Sequence, residues 1–261
     1  MTTLDEILAT TRAGLPALRA HRRAWERQAA DRAAPPSFAA ALRGPTLGLV
    51  AEVKRRSPSA GAINEAIDAP ARAAAYAAAG ASAISVLTDG PFFGGSVDDL
   101  RAVADRVAVP ALRKDFILHE DQLLEARAAG AAAALLIVRA LPPARLRELL
   151  RFAAALGLDA LVEVHDRREL DAALDAEATI IGVNSRDLTT FRIDVAAAWA
   201  LLGQVPAARL AVAESGMETS ADTARAARAG ADAVLVGTAL SRPADPAALV
   251  AAIVAEPRHA R

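Results

Sequence analysis

The feature that most limits the fold is a step repeated eight times: a short apolar run, a polar residue or glycine at its far end, then an alanine-rich helical stretch. The apolar runs fall at 47–53, 82–87, 107–112, 133–138, 159–163, 179–183, 209–213 and 233–236. Helical pieces read at about 70–79, from about 97, at 120–129 before Gly130, after Pro142-Pro143, and at 246–255. Strands that alternate with helices pair in parallel, because each helix carries the chain back to the starting edge. Eight such units in roughly 215 residues predict an α/β chain closed into a (β/α)₈ barrel. A dinucleotide-binding sheet would need G-x-G-x-x-G straight after the first strand. The turn there reads KRRSPSAG (54–61) instead. Before the repeat, Leu4, Ile7, Leu8, Leu15 and Leu18 predict an amphipathic helix, interrupted around Gly14-Leu15-Pro16, with a second piece through Trp25. The expected organisation is an N-terminal helical extension, 1–46, packed on a catalytic barrel, 47–261, as one domain.

In such a barrel the functional site lies where the C-terminal ends of the strands converge. The first strand runs through LGLVAEVKRRSPSAG (47–61) and sets Glu52 and Lys54 two residues apart. Two is the strand repeat, so both side chains share a side. An acid and a base buried together are costly unless the site uses them. The third strand delivers Lys114, the fifth Glu163, the sixth Asn184, the seventh Glu214 and Ser215, and the eighth Gly237. Any one of these polar residues could be part of a structural plug in the barrel. On successive strands they form one set, whose members neighbours can tune to different pKa values. Lys54 and Lys114 are the only lysines among 30 basic residues; the rest are arginine. Arginine does not readily release its proton, whereas a partly desolvated lysine can, so both lysines are candidates for proton transfer. Gly216, Gly237 and Thr238 follow the last two strands, where backbone N–H groups and a short helix start suit a phosphate. Ser57 in the first loop can add a hydroxyl.

The balance of 30 basic and 31 acidic residues leaves a formal net charge of -1 and no broad basic field, which argues against a nucleic-acid partner. Cysteine is absent, which removes disulfides, thiolate nucleophiles and Cys-based zinc sites. The N-terminus lacks a basic and apolar leader, and the apolar stretch 130–138 is too short to span a bilayer. A soluble cytoplasmic protein with no membrane partner is expected. His21, His119, His165 and His259 lie far apart in sequence, and His165 reads as opening the fifth loop or capping the helix after it. Chemistry free of metal and cofactor is the economical expectation.

Taken together, EVKRRSPSAG (52–61), LTD…FFGGS (87–96), LRKDF (112–116), LVEVH (161–165), GVNSRDL (182–188), ESG (214–216) and LVGTAL (235–240) resemble indole-3-glycerol phosphate synthase over essentially the whole chain. That family is a barrel with an added N-terminal helical segment. The resemblance implies ring closure, decarboxylation and dehydration of 1-(2-carboxyphenylamino)-1-deoxyribulose 5-phosphate, a phosphosugar substrate. It implies Lys114 as principal general acid, Glu163 in acid–base work at the reacting carbon, and Glu52 in dehydration or charge stabilisation. Lys54 would pair with the benzoate carboxylate and could supply the acid for dehydration. Asn184 would hydrogen-bond the reacting oxygens, with Glu214 and Ser215 on the sugar hydroxyls. Ser57, Gly216, Gly237 and Thr238 would hold phosphate; Phe93, Phe116 and Leu135 would wall the aromatic pocket, with Arg186 in support. Departures from the family pattern are Thr88-Asp89, the HEDQ that opens the third helix, and Thr238-Ala239-Leu240-Ser241 in the eighth loop. The resemblance also implies a monomer. Among rivals, phosphoribosylanthranilate isomerase usually works with a cysteine, and the related histidine-pathway isomerase with paired aspartates. A phosphosugar-binding barrel without catalysis would show a broken acid–base set, and this set is complete.

Overall fold

Alternation of side chains on each strand sorts the apolar residues into two shells. On β1 (Gly48–Val53), Leu49, Ala51 and Val53 pack outward against helices, while Val50 packs into the barrel interior. The same parity governs β2 (Ala83–Leu87), β3 (Ala111–Lys114), β4 (Ala133–Ile137), β5 (Asp159–Val164), β6 (Ile180–Asn184), β7 (Leu210–Glu214) and β8 (Ala233–Val236). A strand buried on both faces must be nearly all apolar, which these are until their C-terminal ends. The computed structural model describes residues 4–261, so the first three residues of the N-terminal extension lie outside the described residues. Within it the strands pair in parallel in sequence order, and β1 closes on β8 with Gly48 opposite Ala233 and Ala51 opposite Val236. The result is the closed eight-stranded barrel read from the sequence. Among the described residues no helix is long and apolar enough to cross a membrane.

The helices, in chain order, are α1 (Leu4–Arg19), α2 (Arg22–Asp31), α3 (Phe38–Ala41), α4 (Ala69–Ala78), α5 (Gly90–Phe93), α6 (Val97–Arg106), α7 (Glu120–Ala128), α8 (Pro143–Ala155), α9 (Arg167–Asp175), α10 (Val195–Leu202), α11 (Ser220–Arg228), α12 (Thr238–Ser241) and α13 (Ala247–Val254). Side-chain caps start many of them; Asp68, Ser96 and Asp194 each accept a backbone N–H three residues on. The extension packs on α7, where Arg22 pairs with the buried Asp121 at 2.8 Å. Phe38 and Leu42 are buried in the same cluster as the barrel interior, at its N-terminal end.

Two sequence expectations change. α1 runs unbroken through Pro16, because Pro16 is exposed and the carbonyl it leaves unpaired can be hydrated. The break comes little more than one turn later, at residues 20–21. The third strand begins at Ala111 instead of 107, since Pro110 has no N–H for the ladder and offers only its carbonyl, to Ile84 N at 3.0 Å. Lys114 is therefore the last residue of its strand. The departures from the resembled pattern have local reasons. Asp89 caps α5 by accepting from the N–H groups of Phe92 and Phe93, and His119 and Gln122 form a reciprocal capping box on α7.

Candidate active site

Inward parity extends to the C-terminal ends of five strands, where apolar side chains give way to charged and polar ones. Glu52 follows Val50, Lys114 follows Leu112, Glu163 follows Leu161, Asn184 follows Gly182, and Glu214 follows Val212. They surround the floor of a cavity of about 240 Å³ at the C-terminal end of the barrel. Lys54 Nζ lies 2.5 Å from Glu52 Oε1, and Lys114 Nζ lies 3.4 Å from Glu163 Oε2 and 3.2 Å from Glu214 Oε2. Two glycines make this approach feasible. A Cβ on Gly237 would meet Glu52 Oε1, and a Cβ on Gly182 would meet Glu214 Oε1.

The charges set one another's protonation. Burial pushes Glu52 up, but the ammonium groups of Lys54 and Lys114 outweigh it and hold the carboxyl below its ordinary value. Burial likewise opposes ionisation of Glu163, and Lys114 and His165 overcome it. Glu214 differs: burial raises it, the neighbouring Glu163 adds to the rise, and Lys114 offsets only part, leaving it at about 7. The neighbouring carboxylates thus leave one member of the pair charged and the other near half-protonated at neutral pH. Burial alone would lower Lys114, yet Glu214, Glu163 and Glu52 together hold it above its ordinary value. This corrects the sequence expectation of a lysine eased toward release by desolvation. Lys114 stands charged.

The walls follow from loop placement. Phe93, set by the Asp89 cap, meets Phe116 with ring centroids 6.1 Å apart, and Leu135 completes this apolar side. Ser57, Ser215, Gly216, Gly237 and Thr238 line the opposite rim together with Arg186. Ser215 and Gly216 both have positive φ, 65° and 71°, so a non-glycine residue holds a left-handed conformation at the rim. Ser241 in the eighth loop donates to Glu52 O at 3.1 Å and accepts from Lys54 N at 3.2 Å, tying α12 to the end of β1. Of the residues picked from sequence, all but Glu214 line the cavity; Glu214 lies beneath it, against Lys114.

Several residues escaped the sequence reading. Leu188, Phe191 and Ile193 of the sixth loop wall the cavity, as do Asp115 and the exposed Arg242. Loop side chains carry no strand parity, so nothing in the sequence announced their direction. His165 also escaped, although the signal was there: it continues the series Leu161, Glu163 at the strand repeat. Asp166 caps α9 in its place, accepting from Glu169 N at 2.8 Å, and the His165 ring turns into the protein between Glu163 and Glu169.

The model of the family described as indole-3-glycerol phosphate synthase matches residues 4–253. An indole-3-glycerol phosphate synthase of Opitutus terrae is 52% identical over 229 residues, covering 85% of this chain and 86% of that protein. One from Mycobacterium ulcerans is 47% identical over 260 residues, covering 99% and 96%. Among solved structures, 3-hexulose-6-phosphate synthase from Salmonella typhimurium shares the fold with a TM-score of 0.62 at 18% identity, covering 80% of this chain and 97% of that one.

Proposed function

The chain belongs to the indole-3-glycerol phosphate synthase family, and from that premise we propose how its own residues divide the reaction. The reaction converts 1-(2-carboxyphenylamino)-1-deoxyribulose 5-phosphate into indole-3-glycerol phosphate, carbon dioxide and water, a lyase step of tryptophan biosynthesis. The ring carbon attacks the ribulose carbonyl, and the oxygen there must gain a proton as the new bond forms. Lys114 donates it, for it is charged, reaches the cavity floor and is held by Glu163 and Glu214. Loss of carbon dioxide and of the hydroxyl follows, and a ring proton leaves. Glu163, ionised beside Lys114, serves the acid–base work at the reacting carbon, and Glu52 stabilises the positive charge that develops at nitrogen.

Lys54 holds the benzoate carboxylate through a single ammonium, a grip that lets the group twist out of plane before it leaves. Phe93, Phe116 and Leu135 receive the aromatic ring. Ser57, Gly216, Gly237 and Thr238 seat the phosphate, with Arg186 in support. Asn184 takes the reacting oxygens and Ser215 the sugar hydroxyls, a division supported by both lining the cavity, and Glu214 acts through Lys114. A single-chain form and a cytoplasmic setting accompany this reading, on composition and family resemblance.

The observation that carries the assignment is the Lys114 ammonium between two buried carboxylates at the foot of the cavity. The test is incubation with the carboxyphenylamino-deoxyribulose phosphate while indole absorbance is followed. The chain should turn over, and Lys114→Ala should lose at least about 100-fold in kcat while still binding the substrate's phosphate end. Equal losses in binding and rate would remove Lys114 from its role as acid.

A further inference from the structure

His165 is a buried titratable ring that takes no part in the steps assigned above. It follows the end of β5, and its side chain is 5% exposed. Nδ1 lies 2.9 Å from Glu169 Oε2, and the same oxygen accepts the His165 backbone N–H at 2.8 Å. Nε2 lies 3.4 Å from Glu163 Oε1, an ion-pair distance, and neither of these two atoms has a hydrogen-bond partner among the described residues. Both ring nitrogens therefore face carboxylate oxygens, which only accept when ionised; the doubly protonated ring is the form that satisfies both.

The surroundings hold this arrangement in place. Glu169 Oε1 accepts from Arg139 Nε at 2.7 Å, and Arg139 reaches Asp187 at 2.8 Å and Asp166 at 3.9 Å. On the other side of Glu163 stand Lys114, which it shares with Glu214, and the Asn184 amide. One ammonium facing two carboxylates cannot fully charge both. We propose that His165 is a positioning residue: its charged ring, braced by Glu169, keeps the Glu163 carboxylate ionised and turned toward the cavity. This rests on the reading of Glu163 as an acid–base group at the reacting carbon. Burial pushes the imidazole down, but its contacts with Glu163 and Glu169 lift it to about 9, so the ring is charged across the neutral range.

The sign of the test follows directly. Removing a cation from beside a carboxylate raises the pH at which that carboxylate gains its proton. In His165→Gln the acid limb of kcat should therefore move up by about one pH unit, while a Glu163 carboxylate no longer held in its aim should lower kcat at neutral pH about tenfold, with KM within about threefold of wild type. Glu163→Gln, measured beside it, should lose nearly all turnover. Wild-type rates in Glu163→Gln would defeat the reading of Glu163 itself. An inactive Glu163→Gln beside a His165→Gln with unshifted acid limb and unchanged kcat would overturn the role of His165 alone. Ring NMR on the wild-type chain gives a readout independent of any variant's folding: the His165 signals should stay those of an imidazolium through about pH 8, while a ring that titrates near its ordinary value, about 6.5, overturns the proposal.

Discussion

At the scale of single residues, the site is made by what is left out as much as by what is present. Gly182 and Gly237 carry no Cβ where Glu214 and Glu52 pass. An alanine at 182 would meet Glu214 Oε1 and also come within 3.2 Å of Leu161, so the acid must move. Displaced, Glu214 would no longer hold Lys114 from below at 3.2 Å. Gly182→Ala should destabilise the fold by about 1–3 kcal/mol in urea unfolding and lower kcat more than it raises KM. An alanine variant with native stability and kcat would show that the floor can rearrange freely.

At the scale of elements, strands aim the reacting groups and loops wall them in. The sixth loop turns on Asp187, whose carboxylate accepts from Thr189 N, Thr190 N and Thr190 Oγ1. Its neighbours Arg186, Leu188, Phe191 and Ile193 face the cavity. Arg139, in the short turn after β4, binds both this loop and Glu169 at the start of α9, so one guanidinium joins three successive loops. Arg139→Gln should leave the turn around Asp187 formed but free it from its neighbour. We expect KM to rise by about three- to tenfold and amide exchange across 186–193 to speed, with unfolding free energy lowered by about 1–3 kcal/mol. Unchanged exchange in that loop would mean the brace does not govern it.

Across the whole molecule the two ends of the barrel have separate duties. At the N-terminal end, opposite the cavity, buried Asp232 accepts from Ala211 N at 2.8 Å, pairs with Arg261 at 2.8 Å and also holds Arg258. Arg261 further donates to the carbonyls of Arg209 and Gly230, so the last residues of the chain clasp β7 and β8 where they begin. Removing one partner of a buried charge cluster strands the others. Asp232→Asn should cost about 3 kcal/mol in thermal or urea unfolding, with kcat within about twofold of wild type. A matching fall in kcat would mean that strain at one rim reaches the other.

The pattern of short apolar runs was enough to declare the barrel, because a closed parallel sheet buried on both faces leaves few other places for eight such strands. Strand parity likewise made Glu52, Lys54, Lys114, Glu163 and Asn184 legible as one group, since direction along a strand is a local property. Parity could not reveal the protonation of that group, for it depends on distances between different strands. Lys114 is held charged and Glu214 stands near half-protonation at neutral pH only because closure brings several carboxylates to one ammonium. His165 followed the parity too, yet its partners Glu163 and Glu169 acquire meaning only once α9 folds back against β5. Composition and alternation determined which side chains enter the barrel; the tertiary structure decided which protons they keep, because electrostatic coupling acts through space and not along the chain.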